Sequence, residues 1–110
     1  LAVPLRDVAT YTGAQTDAVL RATAAGVMTK VMQLSIKTSY ACTVNTDVTI
    51  EWDDGTDIVL EKWEGIPPGG GIACDIGIEG GDGMDVLATC TAPTGGSVVI
   101  SISSTQRASA

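Results

Sequence analysis

Histidine and phenylalanine are both absent from this 110-residue sequence. Without an imidazole, no catalytic scheme that uses histidine as a base is open to it, and of the usual zinc sites only all-cysteine ones remain. Aromatic side chains are restricted to Tyr11, Tyr40, Trp52 and Trp63. Positive charge is scarce too: six Lys and Arg stand against thirteen Asp and Glu, a net charge of −7. A field of that sign repels phosphate, which argues against nucleic acid and anionic membranes as partners. No apolar run approaches the roughly 18 residues that a membrane-spanning helix needs. The cysteines, Cys42, Cys74 and Cys90, match no zinc ribbon, no CxxC pair and no dense disulfide framework. Their odd number leaves at least one thiol free within a single chain. Small buried side chains are the simplest reading, weakly favouring assembly in a reducing compartment; a Cys74–Cys90 bridge between neighbouring strands stays open.

What is present is enough for one folded domain. Apolar residues make up 45% and charged residues 17% of the chain, too apolar for intrinsic disorder. A domain of this size hides roughly 65% of its unfolded surface. The chain begins with Leu1, and Leu is too bulky for routine removal of a preceding initiator Met, so a processed or shortened start is expected. Residues 1–13 lack the basic start and long apolar stretch of an intact signal peptide.

Short runs rich in Val, Ile and Thr, with turn signals every 8 to 12 residues, predict an all-β fold. Residues 1–13, carrying Pro4 and Gly13, read as an extended N-terminal arm. Strands are predicted over 16–22, 27–37, 47–52, 56–63, 72–76, 84–91 and 97–103, about seven in all, and none of the chain has a convincing helical period. In the second of these, Met28, Met32, Leu34 and Ile36 share one parity, with Lys30 and Val31 as exceptions. Val48, Ile50 and Trp52 share a face, Asp53–Asp54–Gly55 signals a hairpin turn, and Ile58 and Leu60 are expected inward on the return. Ile66–Pro67–Pro68–Gly69–Gly70–Gly71 is expected to be a loop, because proline donates no ladder hydrogen bond. Met84, Val86, Ala88 and Cys90 face inward with Leu87 as the exception, and Val98, Ile100 and Ile102 face in against Ser97, Ser101 and Ser103. The expected architecture is an antiparallel β-sandwich, jelly-roll or Ig-like, over residues 14–104, with a polar tail at 105–110.

Several motifs invite chemistry. Gly80–Ala88, GGDGMDVLA, fits the calcium-binding nonapeptide through Asp82 and Asp85, but one copy cannot build the stacked turns that share the ion. Asp53, Asp54 and Asp57 surround one turn without completing an EF-hand loop. IPPGGG lacks the Gly-Lys-Ser/Thr ending of a phosphate-binding loop. No base stands ready to activate a serine or threonine, and nothing points to an enzyme, a metal or a cofactor. Trp63 beside a loop leaves a sugar- or receptor-binding module as an alternative, although one ring is a thin platform.

The order of segments carries a resemblance. VLRATAAGVMTKVMQLSI is followed by TVNTDVTIEWDDGTDIVLEKW, a PPGGGI loop, a Gly-Asp-Gly loop, MDVLATCTA and a closing GGSVVISIS. Across about residues 16–104 this resembles the small all-β structural proteins of tailed bacteriophages, above all the head decoration (cement) proteins. The resemblance implies a non-enzymatic virion protein, made in the host cytoplasm and bound as a homotrimer to the major capsid protein on the outer capsid surface. There it would stabilise capsomer junctions. A tail, neck or fibre module of the same fold is the alternative within the resemblance. Leu1, Val3, Pro4, Leu5 and Arg6 of the arm, and Trp63, Ile66, Pro67 and Pro68 around the proline loop, are the candidate partner-binding residues.

Overall fold

The computed structural model describes residues 4–53 and 57–109, the side chain of Asp57 excepted. Eight strands follow in order: β1 (Leu5–Tyr11), β2 (Gln15–Arg21), β3 (Val27–Thr38), β4 (Thr46–Asp53), β5 (Asp57–Ile66), β6 (Gly71–Glu79), β7 (Asp85–Cys90) and β8 (Val98–Ala108). They build two four-stranded sheets, β1-β8-β3-β6 and β2-β7-β4-β5, antiparallel throughout. Every connection except β4–β5 crosses from one sheet to the other. That weave is a jelly roll, one of the two sandwich types expected. The Cα trace measures 47 × 27 × 17 Å. The 12-residue β3 alone spans about 40 Å at strand rise, so the long axis runs with the strands.

Period-2 alternation makes the core. Val98, Ile100 and Ile102 of β8 face Val48, Ile50 and Trp52 of β4 and Val86, Ala88 and Cys90 of β7 across the sandwich, all buried in one cluster. In β8 the intervening Val99, Ser101 and Ser103 lie on the outer face, partly exposed. Leu87, the exception in β7, sits on the outer face of its sheet in a row that runs Val19–Leu87–Glu51–Val59.

The exceptions in β3 have one cause. The register slips by a residue between Val31 and Gln33 against both β6 and β8. Against β8 Met32 is the extra residue of a bulge, while against β6 the extra residue is in β6, where Ile76 and Gly77 stand against Met32 alone; the slip resets the parity of β3. Thr29 and Val31 point inward before it, Leu34 and Ile36 after it, and Met32 itself is 38% exposed. The expected inward set is therefore corrected at both Met28 and Met32, and holds at Leu34 and Ile36. A second slip, at Leu60 of β5, places Glu61 opposite Ile50 and Val59 opposite Glu51. Leu60 packs on the core as expected, but Ile58, at the turn end of the hairpin, is 44% exposed. The turn residues 54–56 lie outside the described residues.

Residues 5–11 and 105–108 are strand where an arm and a tail were expected. The arm reading fails from residue 5 onward: Leu5–Tyr11 is an edge strand paired with Ser104–Val98, which raises the strand count to eight. Its inward face is Leu5, Asp7, Ala9 and Tyr11, all half-buried. Asp7 is accommodated there because Arg21 of β2 grips it with two 2.8 Å hydrogen bonds, joining the two sheets along that side. The tail reading fails at 105–108, which continue β8 against Val27–Lys30. Gln106 Nε2 donates to Thr29 Oγ1 and to the Ala22 carbonyl, and Arg107 forks onto Glu79, holding that carboxyl below its ordinary range. The three cysteines are free. Cys74 and Cys90 lie on β6 and β7, in opposite sheets, so the pairing left open by the sequence does not form.

Candidate interaction surfaces

Leu1 and Val3 lie outside the described residues. Pro4 is exposed, Leu5 is half-buried opposite Ser104, and Arg6 is exposed opposite Ser103. Arg6 begins a row that crosses the outer face of its sheet, Arg6–Ser103–Gln33–Asp75, in which Gln33 Nε2 donates to Asp75 Oδ1 at 3.0 Å. Short side chains beside the row, Ser35, Ala73 and Ser101, leave a shallow depression of about 330 Å³. A neighbouring one of about 520 Å³ opens at the bulge, between Pro4, Met32, Ile76 and Gly77.

The proline segment divides. Ile66 is 4% exposed and belongs to the core, the last residue of β5, opposite Thr46. Trp63, opposite the buried Val48, is half-buried against the same core. Both were expected to be contact residues, and both are turned inward because the register of β5 slips between Trp63 and Ile66, which resets its parity. Only Pro67 and Pro68 remain exposed.

These prolines belong to an end of the sandwich where four connections meet: 12–14, 39–45, 67–70 and 91–97. Segment 39–45 is the hub. Thr43 N–H and Oγ1 both donate to the Thr94 carbonyl, at 2.7 and 3.1 Å. Ser39 N–H donates to the Ser97 carbonyl, and Ser97 N–H returns to Ser39 Oγ. Gly69 N–H donates to the Ser39 carbonyl, and Thr38 Oγ1 donates to the Pro67 carbonyl at 2.6 Å. Tyr40 is 85% exposed, yet its ring lies over Gly69, where a Cβ would collide with it. Gly69 also adopts φ +73°, a left-handed conformation natural to glycine. Val44, 43% exposed, completes the apolar side chains there. Sequence reading missed Tyr40 and Val44, because neither sits in a motif; only the crossing pattern of the strands brings 39–45 beside 67–70.

The acidic residues have structural partners. Asp85 Oδ1 accepts the Thr23 N–H at 2.7 Å, and Asp82 Oδ1 accepts the Ser109 hydroxyl at 2.6 Å. Glu51, 8% exposed on the outer face, accepts the Thr89 hydroxyl at 2.8 Å, while Thr89 Oγ1 receives the N–H of Asp17, a residue at φ +53°. Among the described residues, no group of three or more Cys, Asp and Glu is placed to hold a metal ion. Burial raises the pKa of Cys90 and that of Tyr11 beside it. It also raises that of Cys74, helped by the negative charges of Glu61 and Asp75.

No family model matches the chain, and no curated protein matches it in sequence. Its fold, however, recurs among solved structures. A chain from the acidic stable capsid of Helicobacter pylori bacteriophage KHP30 superposes with a TM-score of 0.67 at 13% identity, over 94% of this chain and 87% of that one. A chain from Bacillus endospore appendages, a family of disulfide-linked pili, superposes with a TM-score of 0.55 at 15% identity, over 94% and 88%. At these identities the likeness is one of fold: this chain has the all-β sandwich fold of a phage capsid component.

Proposed function

We propose that this chain is a non-enzymatic structural protein of a virion, a decoration protein that binds the major capsid protein on the outer capsid surface as a homotrimer. The observation that carries the reading is the superposition on the KHP30 capsid chain over nearly the whole of both chains. Two chains of almost equal length share one jelly roll, with no large insertion on either side.

The mechanism is mechanical. A rigid domain seated across the junction between capsomers buries surface that must be exposed again before they separate, at about 25 cal/mol per Å² of apolar area. The net charge of −7 keeps copies soluble and apart at high density. The virion is its site of action and the host cytoplasm its place of synthesis. The likeness to the pilus subunit favours a second reading, a module of a tail or fibre that self-assembles. Disulfide linkage of the kind named for those pili would fall to Cys74, half-buried on β6, since Cys42 and Cys90 are 5% and 4% exposed.

The test is reconstitution. Particles of the parent virus stripped of this protein should release DNA at a lower temperature than intact particles, and adding the purified chain back should restore the original value. Release at an unchanged temperature after saturating add-back would contradict a stabilising role.

A further inference from the structure

The four connections at the Tyr40 end contain no Asp, Glu, Lys or Arg at all. The strand residues that flank them, Tyr11, Gln15, Thr38, Thr46, Ile66, Gly71, Cys90 and Val98, are uncharged as well. The opposite end carries Arg21, Asp53, Glu79, Asp82, Asp85 and Arg107 on its loops and strand ends. The fold thus gathers residues scattered from 11 to 98 into one neutral pole on an acidic molecule.

We infer that this neutral pole, with Tyr40 and Val44 at its centre, is the surface by which the protein seats on an uncharged patch of the capsid shell, its charged end pointing to solvent. The inference rests on the virion reading above and names the face that does the binding. Three observations support it. Interface cores are depleted of charge and enriched in tyrosine, because desolvating a charge is costly and an aromatic ring buries much area with few rotatable bonds. The pole is also pre-ordered: hydrogen bonds cross from 39–45 to both neighbouring loops, so little entropy is lost on docking. Its size decides between occupants. The cross-section of the Cα trace normal to its long axis is 27 × 17 Å, about 460 Å², against the roughly 800 Å² per partner of a standard interface. Two copies joined end to end would fall short of a stable dimer. On a shell, the poles of one oligomer act together, and the shared attachment multiplies a weak single contact.

The experiment is a binding titration of the full chain on particles stripped of it. Wild type, Val44→Asp, Tyr40→Ala and, as a control at the far end, Ala24→Asp are compared, each checked for mass by light scattering and for thermal unfolding. Both pole variants should bind at least tenfold more weakly, while Ala24→Asp binds like wild type and all four keep their oligomer and melting temperature. Wild-type binding with unchanged binding by both pole variants would overturn the assignment of the face and leave the virion reading standing. Loss of the oligomer in Val44→Asp would make the pole a self-contact and overturn the assignment in another way. Failure of wild type itself to bind would remove the virion reading and the assignment together.

Discussion

Asp7 and Arg21 show how much one residue's placement depends on a partner far away in sequence. An inward carboxylate on β1 is tolerated because a guanidinium from the other sheet meets it with two 2.8 Å bonds, both side chains being about three-quarters covered. Asp7→Asn keeps the shape and removes the charge. It should lower stability by about 1–2 kcal/mol in urea unfolding, the range for a charge-assisted bond that is not fully buried. An unchanged midpoint would mean that water serves the pair as well. The core should respond more strongly: Ile100, fully buried at the centre of β8, should cost about 3–4 kcal/mol as Ile100→Ala by the same measurement. Titration adds an alkaline limit. The pKa values of Cys90 and Tyr11 are raised in the fold, mainly by burial. Their neutral forms therefore contribute stability that is complete below the unfolded-state values and lost as pH rises through the raised ones. Melting temperature should fall as pH is taken upward from about 8, and Cys90→Ala should flatten the early part of that fall. Equal slopes in the two proteins would assign the loss elsewhere.

At the scale of strands, bulges decide which side chains reach the core. Opposite β8, Met32 is the extra residue that lets Val31 and Leu34 both point inward. Its deletion should shift one half of β3 out of phase, exposing either Thr29 and Val31 or Leu34 and Ile36, and abolish cooperative unfolding measured by near-UV circular dichroism. A deletion variant that melts like wild type would contradict the parity argument. Alternation together with turn signals made seven of the eight strands legible in the sequence, and Val31 stood out there as an exception without its cause. β1 was not legible, because its inward set is Leu5, Asp7, Ala9 and Tyr11 while Val8 faces out, 59% exposed. That pattern becomes a strand only once Arg21 is known to sit across from Asp7. The end of β8 was hidden in the same way. Ser104 to Ala108 is polar, and its partners, Thr29, Ala22 and Glu79, belong to other parts of the chain. Of the candidate contact residues, Pro67 and Pro68 keep an exposed position, whereas Trp63 and Ile66 are claimed by the core once β5 extends to residue 66.

For the whole molecule, the division of charge between its two ends is the property from which a role follows. The sandwich supplies a stiff slab, the net negative charge along its strands and far end repels other copies, and the neutral end offers the surface that can be dried at least cost. None of this requires chemistry from any side chain, in keeping with the composition. The central claim is that the protein covers a capsid, and the number of copies per particle tests it most directly. Quantitative mass spectrometry of purified virions should find this chain in hundreds of copies, near one for each major capsid protein. Its absence from purified particles would contradict the account.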